Sequence, residues 1–238
     1  METNSNKKGV TLHPEVEQGT PEWFAMRRGI LTASEMNRII TPAKMQYSNS
    51  EKEKAHLYEL AAQIVTGYTE PTFVSFDMLR GRDEEIAARA TYSARFTPAT
   101  TVGFITNDKW GFTIGCSPDG IVGDEGQLEI KSRAQKFQME TIITDQMPDE
   151  YKIQVQTALL VSERPWCDFI SYCGGMPMFT KRIFADAEAQ AKILEAATIF
   201  NGKLDTILMS YGALIDAKDS TLVPTARVET EIKVGDFS

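Results

Sequence analysis

The sequence predicts a single α/β domain, of mixed α+β type, with a central mixed β-sheet flanked by helices. Three observations carry this. Segments with helical spacing and cap residues fill residues 20–95, short β-branched segments separated by turn residues follow Pro98, and a helix, two strands and a long helix then run to about residue 210. No Pro/Ser/Gly-rich linker divides the 238 residues, a length sufficient for one large core. The expected organisation is a flexible polar arm over 1–19, one domain over 20–211, and an uninformative tail over 212–238.

The first helix is expected over 21–28, with Thr20 as N-cap, Pro21 at the first helical position and Gly29 just beyond the end. Thr32 and Glu35 stand at capping-box spacing, so a second helix should follow at once. Residues 51–66 read as helix up to Gly67, a residue suited to the left-handed position that ends one. A helix over 77–95 is expected to turn Leu79, Ile86, Ala87 and Ala90 toward the core. The segments TTVGFITN, GFTIGCS and QLEIKS then read as antiparallel strands, separated by Asn107-Asp108 and by Gly123-Asp124-Glu125-Gly126. A helix near 149–162, strands in WCDFISYC and MFTKRIFA, and a helix from about 186 to 210 complete the order.

Composition narrows the chemistry. A net charge of −8 argues against nucleic-acid binding over the whole surface but permits a local basic groove. Arg27-Arg28, Arg80 with Arg82, and Lys131, Arg133 and Lys136 could line one, or be solvated surface charge. No apolar run approaches the roughly 20 residues that span a bilayer, and the polar start METNSNKKGV lacks the apolar stretch of a signal peptide, so a cytoplasmic location is expected. Cys116, Cys167 and Cys173 form no CxxC pair and fit a reducing compartment. With only His13 and His56 available, a bound metal would be held mainly by oxygen.

The stretch IGCSPDGIVGDEGQLEIKSR places charge where buried sheet is expected. In a strand the two-residue period puts Leu128 and Ile130 on one face, Glu129 and Lys131 on the other. The turn at 123–126 folds Asp119 back beside Glu129. Two carboxylates and the Ile130 carbonyl then surround one point, a hard-oxygen environment suited to Mg²⁺, with Lys131 against one of its waters. That set suits phosphodiester hydrolysis, in which a cation neutralises the phosphate and activates a water. Read alone, the same residues also fit an exposed hairpin with a surface ion pair.

SPDGIVGDEGQLEIK resembles the PD-(D/E)xK nuclease motif, whose restriction-endonuclease-like core is a mixed sheet flanked by helices. Its neighbours resemble the phage lambda exonuclease, or YqaJ-like viral recombinase, family: WFAMRRGILTAS (Trp23 to Ser34), GRDEE (Gly81 to Glu85), the hairpin, and Gln154-Val155-Gln156 occur in the family's order. The chain departs from the pattern at Ser132-Arg133, where Cys-Pro is frequent, and at Arg80, where an aromatic is common.

The resemblance implies that Asp119, Glu129 and the Ile130 carbonyl bind Mg²⁺, that Glu85 serves a second ion or its waters, and that Mn²⁺ can substitute. It implies that Lys131 acts on the attacking water and that Gln156 reaches the water or the scissile phosphate. Arg27, Ser34 and Ser117 would form the pocket for the 5′-phosphate of duplex DNA. It further implies a 5′→3′ exonuclease releasing 5′-mononucleotides and leaving 3′ overhangs. The protein would be a ring-shaped homotrimer working with a phage-type single-strand annealing protein inside a bacterial host. The alternatives are another PD-(D/E)xK endonuclease and a non-catalytic DNA-end-binding module.

Overall fold

Two four-stranded mixed sheets organise the chain, which the computed structural model describes over residues 9–70, 76–217 and 221–228. The elements in order are β1 (Val10–His13), α1 (Pro21–Arg27), β2 (Leu31–Thr32), a 3₁₀ helix (Ala33–Arg38), the short hairpin β3 (Ile40–Thr41) and β4 (Gln46–Tyr47), and α2 (Glu51–Thr66). There follow α3 (Phe76–Arg95), β5 (Phe104–Asn107), β6 (Ile114–Cys116), β7 (Gly120–Val122), β8 (Gly126–Ser132) and α4 (Gln135–Thr144). A 3₁₀ turn (Asp149–Tyr151), α5 (Lys152–Ser162), β9 (Trp166–Tyr172), β10 (Phe179–Phe184) and α6 (Ala187–Ile215) complete the chain.

Cap chemistry sets the helix ends where the sequence places them. Thr20 Oγ1 accepts from the Trp23 N–H at 3.3 Å and Ser50 Oγ from the Glu53 N–H at 3.3 Å, each meeting a donor that the first turn leaves unpaired. Gly67 ends α2 at φ 62°, where a side chain would clash with its own backbone. The Thr32–Glu35 capping box does not form. Thr32 makes no side-chain cap bond, and its hydroxyl instead accepts from Arg27, so the segment is 3₁₀ rather than α-helix.

The first sheet runs β1-β5-β6-β2, with β2 parallel to β6 and the other pairs antiparallel. The second runs β10-β9-β8-β7, with β8 parallel to β9. The expected strands therefore form, but they divide between two sheets: β6 closes against β2, and the short β7 takes the place beside β8. Val10–His13, read in the sequence as part of a polar arm, pairs with β5, and α6 continues to Ile215, past the expected end of the domain at 211. Residues 1–8 of that arm, and 218–220 and 229–238 of the tail, lie outside the described residues.

Leu31, Met36, Ile105, Ile114 and Phe200 centre the larger core, between the first sheet and α5 and α6. Leu128 and Ile130 pack with Ala88, Tyr92 and Ile170 in a second core beneath α3. Burial of each such Leu or Ile contributes roughly 1.5–3 kcal/mol. The apolar stripe expected on α3 is wrong in phase. Leu79 and Ile86 are 50% and 61% exposed, whereas Ala88 and Tyr92 are buried. The polar choice decides the phase: the Tyr92 hydroxyl donates to the buried Asp168 carboxylate on β9 at 2.6 Å, and Arg182 donates to both Asp168 oxygens at 2.8 Å. Among the described residues no helix is long and apolar enough to cross a membrane.

Candidate active site

Asp119 leaves β6 through Pro118 and is gripped by β8: its N–H donates to the Leu128 carbonyl at 3.1 Å, and its Oδ2 accepts from the Ile130 N–H at 2.5 Å. Glu129 is buried on the strand between those two residues, with Lys131 Nζ 2.6 Å from its Oε1. The shared face expected from the two-residue period is thus observed. Glu85 projects from α3 into the same cleft as Asp119, a space of about 920 Å³. Arg89, one turn further on, donates to Glu85 Oε1 at 2.8 Å and to the Asp119 main-chain oxygen at 2.6 Å. Its neighbour Glu84 faces elsewhere, accepting from Ser132 Oγ and from the Gly174 N–H at 3.1 Å. Arg80 Nε donates to the same Ser132 hydroxyl at 3.3 Å, so two positions that depart from the family pattern meet in one cluster.

Burial pushes the Asp119 carboxyl well above the usual carboxylate range, and the like charges of Glu129 and Glu85 push it further; Lys131 and the Ile130 N–H oppose this without cancelling it. Burial alone would lower the Lys131 pKa, but Glu129 and Asp119 outweigh it and raise it above the ordinary lysine value. The amine is therefore an ammonium. Carboxylates crowded into one desolvated place are the chemistry of a hard-cation site, because a divalent ion offsets the burial and the repulsion that raise the Asp119 pKa. Among the described residues no three His, Cys, Asp or Glu side chains are already gathered around a metal position. A smaller set, Asp119 and Glu129 with the Ile130 carbonyl, could hold Mg²⁺, which commonly retains waters for its remaining positions.

Gln154, not Gln156, reaches this cluster. Its Nε2 donates to Glu129 Oε1 at 2.6 Å and its Oε1 accepts from Lys131 at 3.3 Å. Gln156 is buried on another face of α5, donating to the Phe184 carbonyl and accepting from the Asp186 N–H, both at 2.9 Å. Residues two apart on a helix point about 200° apart, so only one of the pair can face the hairpin. The Q-x-Q spacing contains no signal for which.

Arg27, Ser34 and Ser117 do converge. Arg27 donates to Ser117 Oγ at 3.4 Å, Thr32 Oγ1 at 3.2 Å and Ser34 Oγ at 3.3 Å, and its guanidinium lies 4.2 Å from the centroid of the Trp23 ring. Trp23 Nε1 also donates to Ser117 Oγ, at 2.9 Å. Among the described residues Arg27 hydrogen-bonds three hydroxyls and no carboxylate. Burial lowers its pKa, against the pull of Glu35 and Cys116. A guanidinium stays charged in proteins, so a partly buried cation ringed by hydroxyls offers strong donors to an anion. Arg27 and Trp23 line the cleft that Glu85 and Asp119 line. Thr32 and Trp23 were not assigned to this pocket by the sequence, although both lie in the block that contains Arg27.

The profile of the YqaJ-like viral recombinase domain matches residues 22–165, which contain every residue of the cluster and the pocket. LHK-Exo in complex with dAMP is 34% identical to this chain, with a TM-score of 0.72 over 81% of this chain and 96% of that one. The alkaline exonuclease LHK-Exo from Laribacter hongkongensis superposes in a second structure with 31% identity and a TM-score of 0.68, over 82% and 100% of the two chains. A phage-related exonuclease from Haemophilus somnus 129PT shares the fold at 13% identity, with a TM-score of 0.55 over 76% and 96%. No curated protein matches by sequence. Sheets, hairpin and sequence blocks agree: this chain belongs to the YqaJ-like viral recombinase family, within the PD-(D/E)xK nuclease fold.

Proposed function

We propose that this protein is a DNA exonuclease, and more specifically a Mg²⁺-dependent 5′→3′ exonuclease that degrades one strand of duplex DNA to nucleoside 5′-monophosphates. The observation that carries the reading is that one cleft contains both the Asp119–Glu85 carboxylates and the Arg27 anion pocket. An exonuclease needs both, because hydrolysis alone does not select an end. The similarity to LHK-Exo, a protein crystallised with a nucleoside 5′-monophosphate, supports it.

In this reading Asp119, Glu129 and the Ile130 carbonyl hold Mg²⁺, and Glu85 holds a second ion or its waters. Bound Mg²⁺ supplies charge neutralisation at the scissile phosphate and lowers the pKa of a coordinated water. Lys131, kept protonated by its carboxylate neighbours, orients the attacking water and balances developing negative charge rather than acting as the base. Gln154 fixes Glu129 and Lys131 relative to each other. Arg27, Ser34 and Ser117 receive the terminal 5′-phosphate. By family resemblance the working assembly is a homotrimeric ring around the duplex, in the cytoplasm of a bacterial host. It leaves 3′ overhangs for a phage-type annealing protein, and a ring lets an acidic protein keep its basic residues on an inner channel.

The test is digestion of 5′-phosphorylated linear duplex, labelled at one end or the other, beside closed circular duplex, with Mg²⁺, Mn²⁺ or EDTA. Release of mononucleotides from 5′ ends with either cation, and none with EDTA or from closed circles, is expected. Cutting of closed circles would identify an endonuclease, and binding of ends without hydrolysis would identify an end-binding module.

A further inference from the structure

We propose that Arg89 is a positioning residue of this site: its guanidinium ties Glu85 to the main chain of Asp119 and so fixes the helix-borne carboxylate against the hairpin. The chemical meaning of that tie rests on the nuclease reading above. Glu85 stands on α3 and Asp119 on the β6–β7 connection; the packing of Ala88 and Tyr92 on Leu128 and Ile130 holds the two backbones together, and Arg89 adds the bond that sets the Glu85 side chain. Arg89 Nη1 serves both, at 2.8 Å from Glu85 Oε1 and 2.6 Å from the Asp119 carbonyl oxygen. Both lengths are those of charge-assisted bonds, and the side chain is only 17% exposed, so water competes weakly for them.

The residue after Asp119 leaves room for this arrangement. A Cβ on Gly120 would lie 3.1 Å from Leu128 Cδ1 and 3.5 Å from Arg89 Cδ, so the stem of Arg89 rests across the hairpin glycine. Charge gives the tie a purpose. Lys131 pairs with Glu129 at 2.6 Å on the hairpin side of the cluster. Arg89 answers from the Glu85 side. Without it, Glu85 has every electrostatic reason to swing away from Asp119 into solvent, leaving its ion or waters unheld.

A role exercised through Glu85 differs measurably from a phosphate contact or from simple structural support. The experiment is calorimetric titration of the full chain, without DNA, using Mn²⁺ alone, for wild type, Arg89→Ala, Glu85→Gln and the double variant, with steady-state digestion alongside. Arg89→Ala should weaken Mn²⁺ binding and lower kcat by about ten- to a hundredfold, the worth of one charge-assisted bond, while KM for DNA stays within about twofold. Because both changes act at one place, the double variant should be no worse than the worse single variant within about twofold. Arg89→Lys should recover part of the loss, and it replaces Arg89→Ala in the cycle if circular dichroism shows the alanine variant unfolded.

Unchanged Mn²⁺ affinity in the Arg89 variant, multiplicative losses in the double variant, or a loss confined to KM would each overturn the positioning role, the last by making Arg89 a DNA anchor. A wild type that binds Mn²⁺ but digests no DNA would defeat the nuclease reading alone. The titration cycle would still decide whether Arg89 holds Glu85.

Discussion

The amide of Gln154 spans the acidic and basic members of the hairpin, donating to Glu129 at 2.6 Å and accepting from Lys131 at 3.3 Å. Gln156, two residues on, ties α5 to the β10–α6 connection instead. The two glutamines should therefore separate when mutated. Gln154→Ala should cut kcat by about 10–100-fold, the loss expected for an outer partner of the proposed metal ligand Glu129, with little change in melting temperature. Gln156→Ala should cost about 1–3 kcal/mol of stability by stranding two buried main-chain groups, with near-normal turnover in the folded fraction. Denaturant titration and single-turnover digestion of both variants check this; the reverse pattern would return Gln156 to the site.

On the proposed function, Asp119→Asn should abolish cleavage, and Glu129→Gln likewise, since each would remove a proposed hard ligand without emptying core volume. The asparagine variant carries a second expectation. Its side-chain oxygen can still accept from the Ile130 N–H, while the repulsion from Glu129 and Glu85 disappears. Without metal it should melt about 2–4 °C above wild type at neutral pH, the shift that about 1 kcal/mol produces in a chain of this size. Mg²⁺ should raise the melting temperature of wild type and leave the variant almost unmoved. Scanning calorimetry with EDTA and with Mg²⁺ measures both.

Arg27 should decide which end is attacked. A 5′-phosphate in its pocket gains a charge-assisted contact worth about 1.5–3 kcal/mol, so wild type should prefer phosphorylated over hydroxyl 5′ ends by about ten- to a hundredfold. Arg27→Ala should erase most of that preference while sparing the slow hydroxyl rate. Initial rates on duplexes that differ only in the 5′ group give the answer, and an undiminished preference in the variant would place the pocket elsewhere.

Tyr92 should matter to the fold at high pH. Burial raises its phenol pKa above the ordinary tyrosine value, and its bond to Asp168 raises it further, with Arg182 opposing. The neutral phenol is thus the form that folding favours. A raised folded pKa contributes stability that is complete below the unfolded value, about 10, and lost as pH rises through the folded one. Tyr92→Phe should be less stable at pH 8 by about 1–2 kcal/mol, for the lost bond to Asp168. Above about pH 10 its stability should fall less steeply than that of wild type. Urea unfolding at pH 8 and pH 10.5 tests the sign.

Where local chemistry decides, the sequence was legible. Thr20 and Gly67 end their helices through their own side-chain and backbone preferences, and Glu129 and Lys131 share a face because a strand has a period of two. Where partners distant in sequence decide, it was not. The face of α3 follows Tyr92 and its acceptor Asp168, which is 76 residues away, and counting apolar residues favoured Leu79 and Ile86 instead. Val10–His13 is too short to show a period, and its partner β5 lies some 90 residues on. Within the site, the sequence identified both carboxylates of the hairpin but neither Gln154 nor Arg89, because each is recognisable only by what lies opposite it.

On the proposed function, the fastening of α3 bears on what would happen between one hydrolysis and the next. Tyr92 is bound to β9, Glu84 to Ser132 and to Gly174, and Arg89 to the Asp119 main chain, so within about two turns the helix is secured to the second sheet and its connections at several points. The cleft, by contrast, is bounded on its other side by α1 and α2, through residues such as Phe24 and Gln63. On the exonuclease function proposed above, a strand shortened one nucleotide at a time would move along that opposite wall while the carboxylates stay in register. In such a site the ordering of charged groups is done once, during folding, and each successive phosphate meets a field already in place.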